Sequence, residues 1–104
     1  MLPRLTIEEW EWDDGNLAEL AAHGVSRLTV IRVSEEVPLF RRNKKRRAAT
    51  LQMIGPDRGG TFWTVCIVEA SEWRPGRWRA VTGWRSEPHE IAWYRRIGKG
   101  AGNV

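Results

Sequence analysis

The run Phe62-Trp63-Thr64-Val65-Cys66-Ile67-Val68 constrains the fold more than any other stretch of this chain. It is aromatic and β-branched, and only Thr64 interrupts its apolar character. Successive side chains of a strand point to opposite faces, so a run apolar at nearly every position needs cover on both. It is therefore predicted to be the central strand of a sheet. Cys66 lies inside it and reads as a small buried hydrophobe. It is the single cysteine, so an intramolecular disulfide is impossible, and a Cys/His zinc site lacks ligands. No metal or cofactor is expected.

Two further strands are predicted around this run, from Ala48 to Ile54 and from Arg77 to Trp84. Gly55-Pro56-Asp57-Arg58-Gly59-Gly60 is a turn, which makes Ala48–Ile54 and Thr61–Val68 an antiparallel hairpin. Arg74-Pro75-Gly76 marks the longer loop before the third strand. Upstream, Ile7 to Trp12 puts Trp10 and Trp12 on one side and Glu9 and Glu11 on the other, the alternation of a short half-buried strand. Asp13 or Asp14 then caps a helix with Leu17, Leu20 and Ala21 inward, and Gly24 supplies a left-handed C-cap.

The segment 26–36 reads two ways. Ser26 suits a helix cap, with Val25, Leu28, Ile31 and Val37 inward, yet Thr29-Val30-Ile31-Arg32-Val33 has strand propensity. Pro38 ends it in either case. Ser86-Glu87-Pro88 opens a last helix with Ile91, Tyr94 and Ile97 at helical spacing. The expectation is one α+β domain over residues 1–98, followed by a polar Gly-rich tail, 99–104. Its sheet is expected to be antiparallel, an N-terminal strand plus a three-strand meander. No stretch approaches a membrane span, and Met1 to Trp12 has no apolar core of a signal peptide, so a cytoplasmic protein is expected.

Lys plus Arg number 17 against 13 Asp plus Glu, a net charge of +4 that leans toward an anionic partner. The excess is concentrated. Arg41, Arg42, Lys44, Lys45, Arg46 and Arg47 are interrupted only by Asn43, and a run of this kind binds phosphates in a salt-dependent way. Arg77 and Arg79 share one face of their strand and extend the candidate RNA surface. Trp73 and Trp78 flank the Arg74-Pro75-Gly76 loop, where they suit stacking on bases or a protein partner. His23 and His89 are the two side chains that ordinarily titrate near neutrality.

Several of these residues carry a resemblance. Glu11-Trp12-Asp13 followed by His23-Gly24-Val25-Ser26, then Met53-Ile54-Gly55, then Arg79-Ala80-Val81-Thr82-Gly83 with Glu90 and Tyr94, resembles BrnT-type toxins over roughly residues 9–96. The resemblance implies a RelE-like α+β fold, with a helix for 26–36. It implies the toxin of a type II toxin–antitoxin system, a metal-independent and ribosome-independent endoribonuclease. Its partners are then RNA and a cognate antitoxin, a small DNA-binding protein. Arg79, His23, Glu90 and Arg85 become the catalytic candidates. Arg79 would hold charge on the phosphorus, and Glu90 would serve as general base or as a partner for Arg79. Two positions depart from the pattern: Trp84 stands where the family has an Arg, and Ala22 where it has a Lys. Both remove positive charge, which leaves a catalytically silent protein- or RNA-binding module of the same fold as the alternative.

Overall fold

The computed structural model of the chain describes residues 5–44, 49–70 and 74–102. The elements run β1 (Glu9–Glu11), α1 (Asp14–Ala22), α2 (Arg27–Glu35), β2 (Leu39–Arg42), β3 (Leu51–Pro56), β4 (Phe62–Glu69), β5 (Arg77–Arg85) and α3 (Pro88–Gly102). The five strands form one mixed sheet in the order β1-β5-β4-β3-β2. The apolar run is its central strand, and Val65, Cys66 and Ile67 have no exposed surface. β3 and β4 form the expected antiparallel hairpin, in register from Leu51↔Ile67 to Pro56↔Phe62. Asp57 closes it by accepting from the amides of Gly59 and Thr61 and from the Trp63 indole.

The sheet differs from the expected antiparallel arrangement in two ways. β1 pairs with β5 in parallel, Glu9 beside Arg77 and Glu11 beside Arg79. Alternation within a short strand shows which face is buried but carries no information on the direction of its neighbour. The second difference is an added strand, β2, antiparallel to β3 and carrying the start of the basic run. Leu39 and Phe40 are both buried because they face opposite sides of a sheet that is covered on both. That hides the alternation by which a strand is read.

Asp13 caps α1 through a capping box with Asn16: each side chain meets the other's backbone amide, at 3.0 and 2.8 Å. Asn16 is itself buried, and its amide donates to the carbonyls of Glu11 and Ala80, which ties α1 to β1 and β5. Gly24 has φ +76° and ends the helix in the left-handed region. Residues 27–35 are helical despite their β-branched content. Ser26 caps them at the Thr29 amide, and Val30 and Val33 are buried completely. Tertiary burial here overrides local propensity. The inward stripes differ from those expected: Leu28 and Val37 are exposed, as is Ala21, and Asn16 joins Leu20 on the inner side of α1.

One core lies between α1–α2 and the sheet, built from Leu20, Val25, Val30 and Val33 against Phe40, Met53, Val65, Ile67, Trp78 and Ala80. Cross-strand partners share a face. Leu39, Ile54, Thr64 and Trp84 form a row on the other face, and Arg41, Gln52 and Cys66 form the next. α3 packs on this second face and runs past Gly98 to Gly102. Among the described residues, no helix is long and apolar enough to cross a membrane.

Candidate functional site

The sequence candidates separate into three places. The first is a charge ladder along β1 and β5. The parallel register sets Glu9 and Glu11 beside Arg77 and Arg79. Arg77 lies 3.2 Å from Glu9 and 3.5 Å from Glu11, and Arg79 lies 3.3 Å from Glu11. Arg79 also makes a two-pronged contact with Asp13, at 2.6 and 3.0 Å. This contact, chiefly the hydrogen bond from Arg79, holds the Asp13 carboxyl down at about 2, and Asp13 in turn raises the Arg79 pKa. Both arginines are thus balanced by acids at close range. The expected partner Glu90 is elsewhere; Arg79 is paired with Asp13 and Glu11 instead.

The second place is the C-terminal end of α1. His23 caps it, and its Nε2 lies 3.1 Å from the Glu19 carboxylate, which also accepts from the Thr82 hydroxyl at 2.9 Å. Two positions that carry the family resemblance, His23 and Thr82, therefore meet on one carboxylate. Thr82 is completely buried, so this group is a brace between helix and sheet.

The third place is a cleft of about 650 Å³ between the β2–β3 side of the sheet and the start of α3. At its centre is Arg41. Its Nε donates to Gln52 Oε1 at 2.8 Å, its guanidinium lies 4.9 Å from the Trp93 ring centre, and one terminal nitrogen is 4.0 Å from Glu90 Oε2. Glu90 is the third residue of α3, and its Oε1 accepts from the Glu87 amide at 2.7 Å, as a helix-start carboxylate does. The same oxygen accepts from Trp84 Nε1 at 3.0 Å. So Glu90, with a side chain only 4% exposed, is pinned by the helix start and by Trp84, and it helps to hold a guanidinium that is 24% exposed. Arg42, Lys44 and His89 complete the polar rim.

This cleft collects Arg41, Arg42, Lys44 and Glu90 from the sequence candidates. It adds Gln52, Trp84, Trp93 and His89, which the sequence reading did not assign to the site. Two signals were present: a glutamine within an otherwise apolar strand, and Trp93 three residues after Glu90, on the same helical face. Arg85 sits at the exposed end of β5, one position beyond Trp84 and hence directed away from the α3 face. Trp78 is only 7% exposed and belongs to the core, which removes it from any surface that a partner covers. Tyr94 donates its hydroxyl to the Val37 carbonyl and packs edge-on against Phe62. Lys45, Arg46, Arg47 and Trp73 lie outside the described residues.

Chemically, the cleft offers a fixed planar cation, two indole walls, a buried carboxylate and a basic rim. That set can hold an anion and stack a planar ring beside it. Comparisons with family models, with curated proteins and with solved structures find no match to the chain.

Proposed function

We propose that this chain is an RNA-directed toxin of the BrnT-resembling, RelE-like kind. In this reading it is a metal-independent endoribonuclease, active in the cytoplasm and restrained by a cognate antitoxin, whose RNA site is the β2–α3 cleft. The observation that carries the reading is Arg41, braced by Gln52, Trp93 and Glu90 in a nucleotide-sized cleft at the start of the basic run. A guanidinium already immobilised loses little freedom on gripping a phosphate, and its planar fork suits two phosphate oxygens. In metal-free cleavage the neighbouring 2′-hydroxyl attacks phosphorus and the 5′-oxygen leaves, which needs charge stabilisation and proton transfer. Arg41 is placed for the first role. His89, on the cleft rim, brings an imidazole, a side chain suited to the second.

Trp84 favours the second reading, a binding module without cleavage. It occupies the position of the family's Arg, and its indole ties up a Glu90 oxygen.

The test is fluorescence anisotropy with labelled single-stranded RNA over a salt series, with cleavage assayed in chelator. Binding that weakens about tenfold or more in Arg41→Ala, with a shallower salt slope in Arg42→Ala, is the expected result. RNA affinity unchanged in both variants would overturn the site. Binding without cleavage selects the silent module, and Trp84→Arg then asks whether the family's charge restores cutting.

A further inference from the structure

We propose that an RNA strand held in the β2–α3 cleft continues along one exposed face of α3, where Arg96 takes a phosphate beyond the cleft. This path rests on the reading of the cleft as the RNA site and adds how the strand leaves it.

A volume of about 650 Å³ is enough for one nucleotide, so the rest of a bound strand lies outside. On one side the exit is the basic run itself, which starts with Arg42 and Lys44 on the cleft lining. The other side is set by α3. Residues four and seven positions on from a helical residue return to its face. His89, Trp93 and Arg96 have that spacing. His89 and Trp93 line the cleft. Arg96 is exposed and stands outside it, about 4.5 Å further along the helix axis than Trp93. The stripe therefore begins inside the site and runs out of it.

Charge sets this stripe apart from the β1–β5 side. There, Glu9, Glu11 and Asp13 pair with Arg74, Arg77 and Arg79. Arg32 and Arg58 each lie beside a glutamate, Glu35 and Glu36. Beyond Glu90, α3 carries no acid, and among the described residues no acid pairs with Arg96. Its guanidinium is left to a phosphate, which its planar fork suits.

Arg95 is the internal comparison. One residue is a turn of about 100° on a helix. Arg95 is thereby carried to the other flank of α3, where its guanidinium lies 5.6 Å from the Phe62 ring centre. The side facing the sheet is taken by buried Glu90 and by Tyr94, whose hydroxyl donates to the Val37 carbonyl. Cations in the second half of a helix also favour its dipole, but Arg95 and Arg96 share that role. Only Arg96 continues the line from His89 and Trp93.

The experiment uses the whole chain with an octanucleotide and a dinucleotide of uridine, both 2′-O-methylated so that no neighbouring hydroxyl can attack. Anisotropy follows the labelled octamer, and NMR shift titration follows the dinucleotide. Arg96→Ala should weaken octamer binding roughly threefold to tenfold and make its salt slope shallower by about 0.7, the share of one phosphate on a single strand. Dinucleotide binding in Arg96→Ala, and both ligands in Arg95→Ala, should stay within about twofold of wild type. Octamer binding unchanged in Arg96→Ala, or weakened equally in Arg95→Ala, overturns the path, while Arg41-dependent binding keeps the RNA site. A loss in Arg96→Ala as large for the dinucleotide as for the octamer also overturns it, because Arg96 would then act within the cleft. A dinucleotide that fails to bind wild type when the octamer binds removes the cleft as the anchor and the path with it. Absence of octamer binding to wild type at low salt overturns both the path and the RNA reading.

Discussion

Arg79 and Asp13 are joined by two hydrogen bonds, at 2.6 and 3.0 Å, although 66 residues separate them in the chain. The same Asp13 carboxylate caps α1 at the Asn16 amide. One carboxylate therefore fastens the first helix to the strand on which the resemblance would place a catalytic arginine. Removing Arg79 should let the Asp13 carboxyl rise from about 2 toward its ordinary 3.8, read by carbon-detected NMR titration. Arg79→Ala should lower the thermal midpoint, yet leave RNA affinity within about twofold of wild type, as expected for a surface change away from the interface. A loss of RNA affinity as large as that of Arg41→Ala would return Arg79 to the RNA site.

Acid stability follows from the same pair with a definite sign. The folded Asp13 carboxyl is held below its unfolded value, so its contribution is present above about pH 3.8 and is lost as pH falls toward 2. Asp57 acts in the same direction, lowered chiefly by the hydrogen bond from the Trp63 indole. Denaturant midpoints should therefore drop between pH 4 and pH 2, and Asp13→Asn should make that drop shallower. An unchanged slope in Asp13→Asn would show that the pair does not couple to folding.

Leu20 has no exposed surface and contacts the core from the inner side of α1. Leu20→Ala should destabilise the domain by about 2–5 kcal/mol, the usual cost of emptying a buried leucine site. Chemical denaturation would measure it. A cost below about 1 kcal/mol would mean that the α1–sheet core collapses to fill the gap.

Gly76 has φ +88°, and its carbonyl accepts from the amides of Glu8 and Glu9, which aligns β1 with β5. A Cβ there would lie 2.8 Å from the Glu8 carboxylate. Gly76→Ala should cost about 1–2 kcal/mol from the left-handed backbone alone, and it should loosen β1. Amide exchange at Trp10 and Glu11 would report the second effect. Full protection there would show that the loop does not set the register.

Much of the scaffold was legible in local patterns. The apolar run at 62–68 pointed to the central strand, because a run apolar at nearly every position needs a sheet covered on both faces. The Gly/Pro/Asp turn at 55–60 determined the hairpin, and the Asp13-Asp14 pair and Pro88 marked two helix starts through capping chemistry that acts over three or four residues, the structure selecting Asp13 as the cap. Even the choice between helix and strand at 26–36 needed more than that, since β-branched propensity pointed one way and burial of Val30 and Val33 the other. The tertiary structure alone decided that β1 runs parallel to β5, that Leu39–Arg42 is an edge strand, and that Arg79 answers to Asp13 while Arg41 answers to Gln52, Trp93 and Glu90. The physical reason is common to all of these. A charge or an indole carries its type in the sequence, but its partner is whatever the register of distant strands brings within a few ångströms, and strand register is a property of the whole sheet.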